Sequence, residues 1–139
     1  MSHSQQEQHT VRQIAIWVDH REAIMAVFTD THLQREEELF SGVGPHTHGG
    51  GWSQQRFEFH RRAILDHFYE EIIKNLNGAD EIIIYGPGQA KYELEQHVNR
   101  YKGLSQHVIN LITTDKLDDQ QFIHMALKDL VSAHIKQKN

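Results

Sequence analysis

Cysteine is missing from all 139 residues, which removes disulfides and thiolate metal sites from consideration. No apolar run approaches the roughly 20 residues that a membrane-spanning helix requires. An excess of positive charge is also missing, since 14 Lys and Arg face 19 Asp and Glu for a net charge of −5. Phosphate contacts supply most non-specific affinity for nucleic acid, so a chain of this charge binds RNA through a local patch or not at all. The opening residues, MSHSQQEQHTVRQ, have neither the basic-then-apolar layout of a signal peptide nor the Arg-rich amphipathicity of a transit peptide. Residues 1–12 therefore read as a disordered tail, and a cytoplasmic location is the expectation.

What is present fits a single domain over residues 13–139, long enough to build a hydrophobic core without staples. Hydrophobic content of 38% and charged content of 24% are ordinary for a globular protein. Twelve histidines are scattered along the chain and make it sensitive to pH without defining a site.

QIAIWVD (Gln13 to Asp19) is almost continuously apolar, the pattern of a strand buried on both faces. AIMAVF (Ala23 to Phe28) follows a short polar stretch, so the two predict a hairpin. His32 to Phe40 carries Glu36, Glu37 and Glu38 and suits an edge strand, where charge discourages aggregation. From Arg56 the period lengthens, and Phe57, Ile64, Phe68 and Ile72, with Leu65 and Leu76, predict a helix closed by Asn77-Gly78. Glu81 to Tyr85 is a short buried strand. A Gly86-Pro87-Gly88 turn leads into a second helix with Ala90, Leu94, His97 or Val98, and Tyr101 on one face. His107 to Thr113 is the last strand, and Asp115 to Asp119 caps a final helix through Phe122, Ala126, Leu130 and Ile135. The order strand-strand-strand-helix-strand-helix-strand-helix predicts an α/β fold with a mixed five-stranded sheet and helices on both faces. Right-handed crossovers set strands four and five beside strand one, which is the ribonuclease H-like arrangement.

Ser41 to Ser53 is the one long loop, with five of the nine glycines. Its tip, Gly49-Gly50-Gly51-Trp52-Ser53, is costly to order, because glycine loses more conformational freedom than any other residue. It runs directly into Arg56, His60, Arg61 and Arg62, cations suited to an anionic partner. His46 and His48 place two rings on one side of an extended segment, with His60 as a further candidate metal ligand. Spacing identifies no third ligand, and solvated loop histidines are the simpler reading. Gly86-Pro87-Gly88 lacks the full glycine pattern of a nucleotide loop and reads as a tight turn. Lys91 sits unfavourably in the first helical turn unless it faces phosphate at the surface. A two-metal nuclease needs clustered carboxylates. Asp19 reads instead as a hairpin-turn residue, and strand four ends in Tyr85-Gly86 where a second acid is required.

Gly50, Gly51, Ser53, Arg56 and Phe57 match in register the GGQ-Ser-x-x-Arg-Phe signature of the central domain of archaeal and eukaryotic peptide-chain release factors. Gly86-Pro87-Gly88 with Lys91 resembles the GPG-x-x-K turn of the paralogous Pelota family. The resemblance covers most of the chain beyond residue 12 and extends to small stand-alone bacterial proteins of the translational machinery. It implies a ribonuclease H-like fold, a loop presented to the ribosome or to the acceptor end of tRNA, and no decoding domain. Where that family has its catalytic Gln, this chain has Trp52, whose indole offers only a donor. An indole stacks on a base, worth about 1–3 kcal/mol in single-strand binders. Gln54 and Gln55, one or two residues out of register, are the candidate replacements for a catalytic amide. The substitution argues against peptidyl-tRNA hydrolysis.

The expected RNA-contacting set is thus Gly49, Gly50, Gly51, Trp52, Ser53, Arg56, His60, Arg61, Arg62 and Lys91, with no cofactor. The expected partners are the ribosome or tRNA and not a membrane; a homo-oligomer stays open. The alternative is a non-enzymatic interaction or oligomerisation domain that uses the acidic strand His32 to Phe40 as its contact edge.

Overall fold

The computed structural model describes residues 10–44 and 54–138. Their elements are β1 (Arg12–Val18), β2 (Glu22–Thr29), β3 (His32–Phe40), α1 (Gln54–Lys74), β4 (Glu81–Gly86), α2 (Ala90–Val98), α3 (Lys102–Ser105), β5 (Val108–Thr113) and α4 (Asp119–Lys138). The single turn α3 is the one element that the hydrophobic pattern did not reveal, because four residues carry no period.

The sheet runs β3-β2-β1-β4-β5. β1 pairs antiparallel with β2 and parallel with β4, so the chain direction switches at β1. β4 and β5 are also parallel. This is the mixed sheet expected from the change of period. β3 does form an edge, antiparallel to β2, with a register shift at Val27/Phe28.

Residues alternate across the sheet, so β1 and β2 feed two cores. Ile14, Ile16, Val18, Met25 and Val27 pack with Ile82 and Ile84 under α1 and α2. Ala15, Trp17, Ile24 and Phe28 pack on the opposite face with Tyr85 and with Phe122, Ala126 and Leu130 of α4. α4 begins with a capping box: Asp118 Oδ1 accepts from the Gln121 N–H at 2.8 Å, while Gln121 Oε1 accepts from the Asp118 N–H at 3.2 Å.

Two glycines of the turn after β4 differ in what they do. A Cβ added at Gly86 would collide with the Val18 carbonyl oxygen of the neighbouring strand, whereas one at Gly88 meets nothing. Gly86 therefore lets β1 and β4 approach at their carboxyl ends. In sheets of this kind that end, at a topological switch, is where ligands are met. No helix among the described residues is long and apolar enough to cross a membrane.

Candidate functional site

α1 is divided in its function by burial. Its buried residues are Leu65, Phe68, Tyr69, Ile72 and Ile73, all in the second half. Each fully buried side chain of this kind contributes about 1.5–3 kcal/mol, which holds that half to the sheet. The expected apolar stripe began earlier, at Phe57 and Ile64, but both are only half-buried. Gln54–Ile64 contains no buried residue and forms a stem roughly 16 Å long. The stem carries Arg56, His60, Arg61 and Arg62, and Phe59 stands 76% exposed on it.

Polar contacts help to hold the root of the stem, and several of them meet at His20 in the β1–β2 turn. Arg61 Nη2 donates to His20 Nδ1 at 3.3 Å. His20 Nε2 faces Glu93 Oε1 of α2 at 3.1 Å, and the Tyr69 hydroxyl donates to the same oxygen at 2.7 Å. The backbone carbonyl of His20 accepts from Ser41 Oγ at 2.7 Å, and Ser41 Oγ accepts in turn from the Val43 N–H. His20 thus grips the chain where it leaves β3 and again where it returns through α1. The turn itself is set by Asp19, whose Oδ1 accepts from the N–H groups of Arg21 and Glu22, as the hairpin-turn reading of Asp19 requires.

A second cluster ties α1 to α2 lower down. The buried His97 ring faces Glu70 Oε2 through Nδ1 at 2.8 Å and Asp66 Oδ1 through Nε2 at 3.2 Å. The Tyr101 hydroxyl donates to Glu70 Oε1. That bond first, and His97 second, hold the Glu70 carboxyl below its usual range. Burial, reinforced by the bond to Glu93, pushes the Tyr69 hydroxyl far above ordinary tyrosine, and burial with Asp129 does the same to Tyr85.

The expected site residues divide as follows. Gly49, Gly50, Gly51, Trp52, Ser53, His46 and His48 lie outside the described residues. Gln54 and Gln55 open α1 and are exposed, with Gln54 Nε2 donating to Glu58 Oε2 at 3.1 Å. Arg56, His60 and Arg62 are exposed on the stem and Arg61 is half-buried against His20. Lys91 corrects the expectation of a phosphate-facing surface lysine. It is 2% exposed, and its Nζ donates to the Gly88 carbonyl at 2.8 Å, closing the turn from beneath. Burial of its four-carbon stem resolves the conflict with the helix dipole by seating the ammonium on a carbonyl. Among the described residues no group of three or more His, Asp or Glu is arranged to hold a metal ion.

The sequence pattern did not reveal His20 or Glu93 as members of this end of the molecule. The Asp66 and Glu70 pair at helical spacing was the one signal available, since i and i+4 share a face. Nothing local marks the partners on α2.

The fold is one shared with Pelota and release-factor proteins of known structure. Archaeoglobus fulgidus Pelota superposes with a TM-score of 0.57 at 13% identity, covering 96% of this chain and 37% of that one. The archaeal translation termination factor aRF1 gives 0.55 at 16% identity, over 91% of this chain and 41% of that chain. Thermoplasma acidophilum Pelota gives 0.52 at 20% identity, over 82% and 31%. The likeness is one of fold, and the chain spans well under half the length of each. No curated protein matches in sequence. A family profile described as acVLRF1, Actinobacteria/Chloroflexi VLRF1 release factor, matches residues 12–134, and the chain belongs to that family. Membership gives it a translation-related role.

Proposed function

We propose that this chain is a ribosome- or tRNA-binding module of translation, acting in ribosome rescue, which presents its Gly49–Gln55 segment from the projecting basic stem. The observation that carries the reading is the stem itself. Gln54–Ile64 lacks any buried residue yet bears Arg56, Arg61 and Arg62, and its root is tied to His20. An exposed cationic helix that costs the core nothing suits a local phosphate contact on an otherwise acidic protein. Trp52 supplies a stacking ring and no acceptor, so the module engages RNA without efficient peptidyl-tRNA hydrolysis.

The test is sedimentation with ribosomes at low and moderate salt. The wild-type chain pellets with ribosomes at low salt and less so at moderate salt. Arg56→Glu/Arg62→Glu, which spares the Arg61–His20 contact, abolishes pelleting while shifting the thermal midpoint by only about 5 °C or less. An unchanged pellet fraction for this variant removes the stem from the function.

A second reading, a protein-interaction domain, draws on β3. Every residue of that edge strand is exposed or half-buried, and Phe40 is 69% exposed beside Glu36 and Glu38. Failure to pellet, together with self-association in solution, favours it.

A further inference from the structure

A cleft of about 490 Å³ lies between α1 and α2, next to the stem, lined by Phe59, Arg62, Asp66, Tyr92, Gln96 and Arg100 among others. Its charges are equal in number but not in availability. Glu93 is occupied by Tyr69 and His20, Asp66 faces His97, and Glu58 is bonded to Gln54. By contrast, the side chains of Arg62 and Arg100 make no hydrogen bond or ion pair among the described residues, although the charge of Arg100 acts on the Glu70 carboxylate and the Tyr101 hydroxyl. The carboxylates thus spend acceptor sites within the protein while keeping their charge, and the donors of the two guanidiniums stay open to a ligand.

The same cleft holds an aromatic platform. Tyr92 is 42% exposed, and the Lys91 ammonium lies 4.4 Å from its ring centroid. Lys91 is itself buried and held by the Gly88 carbonyl, so the ring rests on a fixed cation. Phe59 offers a second, more exposed ring across the cleft.

We propose that this cleft binds single-stranded RNA, with one base stacked on Tyr92 and the flanking phosphates taken by Arg62 and Arg100. The proposal rests on the RNA-binding reading above for the kind of partner, but its site is separate from the Gly-rich segment. Two guanidiniums with open donors and a stacking ring in one cleft suit a base and its neighbouring phosphates. A protein segment would leave both cations without counter-charge unless it were itself acidic.

The experiment is an anisotropy titration of the 139-residue chain with a fluorescein-labelled oligouridylate of about eight nucleotides, at several salt concentrations. The wild-type chain binds. Tyr92→Ala weakens binding by about fivefold to a hundredfold, and Tyr92→Phe retains it. Arg62→Gln/Arg100→Gln lowers the log–log salt slope by about 1.4, the contribution of two single-strand phosphates. No binding by the wild-type chain, or an affinity and salt slope unchanged in these variants, overturns the proposal. Binding of the oligonucleotide through the cleft by a protein that does not pellet with ribosomes leaves this inference standing and removes the ribosomal reading. Ribosome pelleting with no cleft-dependent RNA binding does the reverse.

Discussion

The Arg61 guanidinium donates to Nδ1 of His20 at 3.3 Å, joining residues 41 positions apart in sequence. Arginine has no acceptor, so Nδ1 holds the lone pair and the proton of a neutral ring sits on Nε2, facing Glu93. One tautomer therefore serves both neighbours, and His20 links the stem of α1 to the body of α2.

His20→Ala removes that link. Each net hydrogen bond of this kind is worth about 1 kcal/mol, so the expected loss of stability is about 1–2 kcal/mol. The more telling readout is local, because the stem has no buried side chain to compensate. Amide exchange in Gln54–Ile64 should accelerate well beyond the global change. Unaltered exchange there, alongside a normal global loss, would show that something other than His20 holds the stem.

The Gly86-Pro87-Gly88 turn offers a paired test. Gly86→Ala forces a Cβ against the Val18 carbonyl and should cost about 1–3 kcal/mol, as overpacking does. Gly88→Ala meets open space and should stay within about 0.5 kcal/mol of wild type. Equal effects in urea denaturation would contradict the close approach of β1 and β4.

Tyr69 and Tyr85 have hydroxyls raised well above the free value near 10. In the folded chain both should remain protonated at about pH 10.5, where free tyrosine is mostly ionised. A group raised on folding contributes stability that is complete below its unfolded pKa and declines as pH rises above it. Alkaline destabilisation should therefore set in above about pH 10, and Tyr69→Phe should reduce it. Ultraviolet titration that ionises all four tyrosines together, with the fold intact, is the contrary result.

Glu70 works in the opposite sense. Its carboxyl is depressed by Tyr101 and His97, so its contribution is present above the unfolded carboxylate pKa and is lost as pH falls through the lower folded value. Thermal melts below about pH 4.5 should show a steeper decline for wild type than for Glu70→Gln. Tyr101→Phe should flatten the acid limb part of the way. Parallel acid limbs in all three proteins would mean that the contact has no weight in solution.

The element order and the layers were legible in the chain because they follow from short-range rules. β1 and β4 are apolar at nearly every position, which only a strand covered on both faces tolerates, and α1 and α4 repeat at helical spacing. The basic stem and the family were equally legible, since they rest on consecutive residues. The boundary of burial within α1 was not. Phe57 and Ile64 continue the apolar stripe in sequence but are only half-buried in the fold. Lys91 was misplaced for a related reason: a cation in a first helical turn looks exposed until the Gly88 carbonyl and the Tyr92 ring are brought around it.

The amino-acid sequence by itself determined the strands, the long helices and the kind of protein, because periodicity and local motifs need no knowledge of distant neighbours. Only the tertiary structure decided which side chains meet. His20, Arg61, Tyr69 and Glu93 come from a turn and two helices, and Arg62 and Arg100 reach one cleft from opposite walls. Such contacts depend on how the helices lie across the sheet, and that is set by the packing of residues such as Leu65, Phe68 and Leu94, whose identities say they are buried but not against what.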